Sequence, residues 1–366
     1  MIPGLSLIGS GMDSCIINTR ELVNAIDYKS VTIAHSCKIT GFNIKVNNNS
    51  DRGFGISVAE GSSINWIYQN KLTMGGIGIF INNVDTSNKS NINIYKNLID
   101  NFSQGVHLFN SNAIIKENNI FTDPNSQGVG KAGIFIESYF FNYTPVIDSN
   151  YIEATSASGI RKSFGSRTIN TNNIIKLKPN STNADGITLS TSDSATVSNN
   201  VIISEDGVDG IYNSGVQYLR LYNNYVTGIF LYYPLMVGPN NAAINNAIIK
   251  ANGKIRAWGT TNLEFKYNNV FGNNVSYVGL TPDSTNLSVD PMVVRDYGNI
   301  DSLNFHLQKY SPMIDAGDPS ILDRDGSRSD IGLYGGPLGE LYTYLDFAPR
   351  PPQNFSAIVD TITIML

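Results

Sequence analysis

Charge is scarce in this chain: Asp, Glu, Lys and Arg make up 15% of its 366 residues, against about a quarter in ordinary soluble domains. The scarcity does not signal disorder, because 41% of the residues are hydrophobic, enough for a core. A net charge of −5 offers no basic stripe, so nucleic acid is not expected as a partner. No apolar run reaches the length that crosses a bilayer, so no membrane insertion is expected. Cysteine and histidine are equally sparse. Cys15 and Cys37, the only cysteines, sit about one repeat apart, either as buried free thiols or as a disulfide across neighbouring coils. His35, His107 and His306 are dispersed and lack zinc-ligand spacing. No long segment carries helical periodicity with caps, so little helix is expected. Met1 is followed by neither a charged nor an apolar leader region. The opening "IPGLSLIGSGMDSCIIN" reads as strand, turn, strand, as in an excised segment whose first coil and any signal peptide lie upstream.

What is abundant is repetition. Asparagine followed, directly or after one residue, by an aliphatic or aromatic residue recurs at Asn43, Asn70, Asn97, Asn119, Asn150, Asn173, Asn200, Asn224, Asn246 and Asn269. Out of phase with it, glycine precedes Ile or Val at Gly55, Gly78, Gly105, Gly133, Gly159, Gly186, Gly210 and Gly228. Two registers sharing a period of roughly 22–28 residues describe a solenoid. Short alternating strands such as "INIYKNLI" and "ATVSNNVII" are separated by turn clusters such as "VNNNSD" and "PNSTNAD". Hairpins would lose both registers, so each coil stacks on the last as parallel sheets about 4.8 Å apart. The expected fold is all-β: a single-stranded right-handed parallel β-helix of about ten or eleven coils with an irregular C-terminal cap. Each repeated Asn suits a turn with left-handed backbone and an amide ladder between coils. The expected organisation is β-helix repeats over 1–271, a C-terminal coil and cap closing the open edge over 272–340, and a linker with the start of a further module over 341–366.

"ITGFNI", the NNxI repeats and the run "SPMIDAGDP…DRDGSRSDIGLYGGP" resemble bacterial right-handed parallel β-helix repeat proteins of the pectate-lyase-like superfamily, over roughly residues 1–340. "PPQNFSA…ITIML" resembles the opening strands of a fibronectin type III domain. The resemblance implies a secreted or cell-surface protein that acts on polysaccharide. It names no activity, because the fold hosts lyases, hydrolases, epimerases, esterases and adhesins. The paired aspartates with Gly-His-Gly of polygalacturonases and the Asp-Pro-His-Asp of mannuronan epimerases are absent.

Stacked repeats turn equivalent positions into surface rows. One outward row reads Ser57, Phe80, His107, Phe135, Arg161, Thr188, Tyr212, Phe230; the next reads Ala59, Asn82, Phe109, Glu137, Ser163, Ser190, Ser214, Tyr232. The position before each Gly gives Gln104, Ala132, Ser158, Asp185, Asp209. His107, Phe109, Phe135 and Tyr212 are candidate sugar-binding residues, since aromatic faces stack on sugar rings and Arg grips a uronate carboxylate. The same residues equally suit cross-strand packing and a solvated sheet. Lys162 falls at an inward position, where burial would lower its pKa towards that of a base. With Arg161, Glu137 and Asp185 it could carry out β-elimination; a strand that ends early would leave it in solvent. Asp185 and Asp209, one coil apart, could hold carboxyls at the roughly 5 Å of a retaining glycosidase, or serve as Asp-Gly turn residues. Glu205 and Asp206 could add a calcium ligand, and Asp323, Asp325 and Asp330 in "DRDGSRSD" a structural calcium loop, with an Asx-turn cap as the alternative. The leading expectation is an extracellular, monomeric lyase of acidic, uronate-containing polysaccharide, ahead of a hydrolase. Its rivals are a non-catalytic carbohydrate-binding adhesin and a structural spacer.

Overall fold

Ile and Val at alternate positions give each short segment one apolar and one polar side, and β-branched side chains favour the extended backbone. The computed structural model describes residues 1–18, 28–46, 53–62, 64–82, 92–125, 130–140, 142–165, 167–178, 184–272, 275–296, 302–347, 358–359 and 364–365. Among them the chain is a parallel β-helix without α-helix. Three stacks of parallel strands run along it. The asparagine stack passes through Asn43–Lys45, Lys71–Asn82, Leu98–Phe109, Asn119–Thr122, Tyr151–Ala154, Ile174–Leu177, Val201–Tyr222, Tyr225–Val237, Ala247–Ala251 and Asn269–Phe271. The glycine stack uses the later parts of the long strands together with Gly53–Val58, Ala132–Glu137, Ser158–Ser163 and Asp185–Ser198. The third stack runs from Ser6–Ile8 through Lys38–Thr40 to Glu264–Lys266. Interior columns such as Ile39, Ile67, Ile94, Ile115 and Ile147 are fully buried.

A ladder of asparagines, all buried except the half-buried last, runs Asn70, Asn97, Asn118, Asn150, Asn173, Asn200, Asn224, Asn246, Asn268, Asn286, each Nδ2 donating to the Oδ1 of the next at 2.9–3.2 Å. Asn43 is not a rung, and the rungs expected at Asn119 and Asn269 fall one residue earlier. The left-handed residue is also not the rung but the one before it, as at Gln69, Lys96, Asn172 and Asn199. The rung Asn is needed for its amide, which satisfies buried backbone groups of its own coil and the preceding one while bonding to the next rung, as Asn97 does with Ile67 O, Tyr95 O, Asn70 N and Asn118 Oδ1. The glycine register has a different cause: a Cβ on Gly105 would lie 2.4 Å from Ile120 Cγ2 and 2.5 Å from the Gly133 carbonyl oxygen.

The expected rows break once. Asp209 lies opposite Tyr233 and Ile211 opposite Leu235, so Gly210 abuts Pro234 and not Gly228. Residues 228–233 form an excursion that buries Phe230 and leaves Tyr232 exposed; neither continues its row. Cys15 and Cys37 are free thiols.

The cap also sits elsewhere than expected. Val275–Val278 adds a last strand to the glycine stack, and Val293–Arg295 then pairs antiparallel with Asn304–Leu307. From there the chain folds back along the flank of the solenoid. Phe305, Leu307, Met313 and Ile331 pack on Val201, Ile203, Tyr225, Ala247 and Ile249, side chains that face outward from the asparagine stack. Left-handed corner asparagines hold it there: Asn199 Nδ2 donates to the carbonyls of Leu333 (2.7 Å) and Gly335 (2.8 Å), and Asn223 Nδ2 to those of Asp330 (2.9 Å) and Gly332 (3.1 Å). Residues just past 340 are tied in as well, Leu307 N donating to Tyr342 Oη at 3.0 Å. Apart from Ile358–Val359 and Ile364–Met365, which pair antiparallel, the fibronectin-like segment lies outside the described residues.

Candidate functional site

The outward row of the glycine stack is formed as expected from Ser57 to Tyr212, strand by strand. Parallel registration forces neighbouring side chains into contact. His107 lies between Phe80 and Phe135, with ring centroids 5.2 and 4.7 Å away. Arg161 follows Phe135. In the second row Phe109 is registered with Glu137, and Glu137 with Ser163. His107 Nε2 lies 3.7 Å from Glu137 Oε2, an ion-pair distance too long for a hydrogen bond. His107, with help from the Tyr139 hydroxyl at 3.3 Å, holds the Glu137 carboxyl below its ordinary range. Both ring nitrogens of His107 and Nε of Arg161 are buried without a hydrogen-bond partner among the described residues.

Where these strands end, two turns add aromatics that the row argument missed. Tyr139 is 59% exposed and Phe164 50%. Their rings stack at 5.9 Å with an interplanar angle of 24°, and Phe109 meets Tyr139 edge-on at 5.7 Å. Phe164 has left-handed backbone (φ 58°), and the next residue must be small: a Cβ on Gly165 would meet the Ser138 carbonyl at 2.4 Å. The string "SYFFNYTP" after Glu137 was the visible signal for one half of this platform; nothing in the repeat marks Phe164.

The expected catalytic groups separate into two places. Lys162 is fully buried, in the interior column Ile136–Lys162–Leu189, on the opposite side of the sheet from Arg161. Its ammonium donates to the carbonyls of Ser190 (3.0 Å) and Thr191 (3.3 Å), and burial lowers its pKa to about 7. Of the two side chains, Arg161 lies on the outer face and Lys162 on the inner one. Asp185 and Asp209 are registered partners. Burial raises both, Asp209 to about 7 with Asp185 adding to the shift. The Thr188 hydroxyl donates to Asp185, and Tyr233 N donates to Asp209 at 2.7 Å.

The expected calcium loop finds no support, and its alternative of aspartates engaged by backbone and hydroxyl donors is what the structure describes. Asp323 accepts from the backbone of Asp330 (3.1 Å) and of Gly336. Asp325 caps Ser327 at 2.7–2.9 Å. Asp330 accepts from Asp315 N and the Tyr344 hydroxyl, both at 2.9 Å. Asp325 is engaged within its own turn, whereas Asp323 and Asp330 bind donors from elsewhere in the cap, and the three form no cluster that could hold a metal ion among the described residues. Glu205 pairs with Lys178 at 3.7 Å.

Residues 73–229 match a family model described as NosD, periplasmic copper-binding protein. The match covers the middle coils, so match and fold agree on a parallel β-helix repeat protein; it does not extend to the pectate-lyase-like superfamily or a fibronectin module. None of the curated proteins matches the chain. Copper favours imidazole, thiolate and thioether donors. The matched segment holds one histidine, His107, one methionine, Met74, and no cysteine. No group of three or more His, Cys, Asp or Glu converges among the described residues. These residues do not fit a copper centre.

Proposed function

We propose that this chain is a carbohydrate-binding β-helix of the cell envelope that grips an acidic polysaccharide without cleaving it. The observation that carries this reading is the platform of half-buried Phe109 with exposed Tyr139 and Phe164, the last of which follows the strand carrying Arg161, whose Nε has no hydrogen-bond partner among the described residues. Stacked aromatic faces suit pyranose rings, and a guanidinium suits a uronate carboxylate. The periplasmic description of the matched family supports the envelope. β-Elimination would need its base on the same face as the sugar, and Lys162 is interior. The test is affinity electrophoresis and calorimetry against polygalacturonate, alginate and neutral dextran, with the ultraviolet absorbance of unsaturated product followed in parallel. Binding to the uronates without product is expected. The double change Tyr139→Ala, Phe164→Ala should weaken it by roughly tenfold or more, at about 1–3 kcal/mol for loss of stacking and apolar contact. Unsaturated product would overturn the non-catalytic reading, and no binding to any uronate would overturn the whole.

One observation favours a second reading. Asp185 and Asp209 are registered on neighbouring strands, whose spacing of ~4.8 Å is near the carboxyl separation of a retaining glycosidase, and burial raises the Asp209 pKa to about 7, as suits a general acid. Release of reducing ends, abolished by Asp209→Asn, would establish it.

A further inference from the structure

The outward rows of the glycine stack do not end at Tyr212 and Ser214. Because Ile211 lies opposite Leu235, Tyr212 is followed by Met236, and Met236 is registered with Arg256. In the second row Ser163, Ser190 and Ser214 are followed by Gly238 and then Trp258, with the inward Val237 and Ala257 buried just before them. Trp258 is 45% exposed, yet its indole has a built seat. A Cβ on Gly238 would lie 2.2–2.5 Å from three atoms of the indole ring, and one on Gly259 would lie 2.8 Å from Pro239 Cγ. Glycine at 238 thus lets the ring lie over the backbone of the preceding coil. Arg256, two residues before Trp258, projects from the same side of the strand. Tyr233 positions it: the guanidinium donates to the Tyr233 hydroxyl at 2.8 Å and stands 5.4 Å from the ring centre. Arg256 makes no ion pair among the described residues.

The same pairing is therefore built at two places on one face. Exposed Phe164 follows the strand that carries Arg161, and exposed Trp258 follows the strand that carries Arg256. The two arginines stand four coils apart in one row, ~19 Å at about 4.8 Å per coil. Between the aromatics the second row carries small residues, Ser190, Ser214 and Gly238, so nothing bulky rises from that row. We propose that Trp258 and Arg256 form a second sugar subsite, the indole stacking on a pyranose ring and the guanidinium taking its uronate carboxylate, and that an acidic polysaccharide lies along the solenoid axis from the platform to this subsite. Stacking suits an indole with one free side, and a guanidinium already held by a neighbouring hydroxyl loses less freedom when it takes a carboxylate. The axial course rests on the reading of the platform given above; the subsite at Trp258 does not.

The chain has two tryptophans, Trp66 and Trp258, so Trp66→Phe leaves Trp258 as the only indole reporter. The test is a titration of that variant, followed by tryptophan emission and by calorimetry. The probes are digalacturonate, too short to span four coils, octagalacturonate, and neutral maltooctaose. Both uronates are expected to shift the emission saturably, and maltooctaose is not. Arg256→Gln should raise the dissociation constant of digalacturonate by roughly tenfold, the scale of one charge-assisted contact, and Arg256→Lys, which keeps the charge, should recover part of the loss. Octagalacturonate should bind at least roughly tenfold tighter than digalacturonate, because it engages both subsites at once. Adding Tyr139→Ala, Phe164→Ala should abolish that advantage and leave the digalacturonate signal at Trp258 unchanged. If calorimetry records uronate binding while the emission stays still, the subsite is wrong and the platform stands. An equal response to maltooctaose, or indifference to Arg256→Gln, would also overturn the subsite. Equal affinity for the two uronate lengths, or a length advantage that survives the platform variant, would overturn the axial course. No binding by either readout would sink platform and subsite together.

Discussion

Lys162 and Asp209 are buried ionisable side chains whose shifts act on stability in opposite senses. The Lys162 pKa falls from an ordinary 10.5 to about 7 in the folded chain. Between those values the unfolded chain holds a proton that the folded chain does not, so stability rises as pH climbs from about 7 towards 10.5, and the cost of the interior ammonium is fully present below 7. The Asp209 pKa rises from 3.8 to about 7, and that of Asp330 to about 6. For these the folded chain holds the extra proton, so stability falls as pH climbs from about 4 through 6 to 7. Denaturant unfolding across pH 4–10 should therefore show a minimum near pH 7. Lys162→Met should flatten the alkaline limb and Asp209→Asn the acid limb; a variant profile parallel to the parent's would refute that assignment. The inward position of Lys162 was readable from alternation alone, because it stands one residue after outward Arg161. That its ammonium finds two carbonyls instead of a carboxylate was not, since the turn at Ser190 and Thr191 belongs to the next coil. The ladder was legible only to within a residue: in runs of two asparagines the sequence does not say which amide turns inward, and it is the second at Asn173, Asn200, Asn224 and Asn246 but the first at Asn118, where Asn119 already opens the following strand.

At the level of strands and turns, the outward rows could be traced as long as each coil kept one glycine in register. They failed at residues 228–233, where the chain inserts an excursion and Pro234 takes the place of glycine against Gly210. The aromatic platform depends on the fit between two such turns, one carrying Tyr139 and the other Phe164. Gly165, with φ 51° and the Ser138 carbonyl where its Cβ would be, lets them close on each other. Gly165→Val should therefore push the turns apart and weaken uronate binding several-fold although no sugar-contacting side chain is altered. Far-ultraviolet circular dichroism should be unchanged, because the strands on either side keep their ladder partners. Binding equal to the parent's would show that the platform does not need the closed arrangement.

Over the whole molecule a solenoid gains stability coil by coil from its nearest neighbours, so a segment that clamps several coils at once breaks that uniformity. The cap does this, joining the coils of Val201, Tyr225 and Ala247 through one apolar layer and the corner asparagines Asn199, Asn223 and Asn245. Its place was written in the sequence as a lapse of alternation: "NVII", "NYVT" and "NAII" put apolar residues at outward positions that earlier coils give to Lys71, Thr73, Asp100 and Glu153. The lapse shows that something covers the flank, but not what, since no residue of the cap repeats with the coils. Local opening should follow the clamp and not the distance from the chain ends. Hydrogen exchange is expected to be slowest in the strands Val201–Tyr222, Tyr225–Val237 and Ala247–Ala251, and faster in Lys38–Thr40 and Asn65–Tyr68. Phe305→Asp sets a carboxylate against Tyr225, whose ring lies 4.3 Å away, and should release the cap at a cost on the order of 3–5 kcal/mol. Exchange in the three clamped coils should then rise to the level of the coils before residue 100, which should not change. If instead every coil accelerated together, the solenoid would be one cooperative unit and the clamp would have no local meaning.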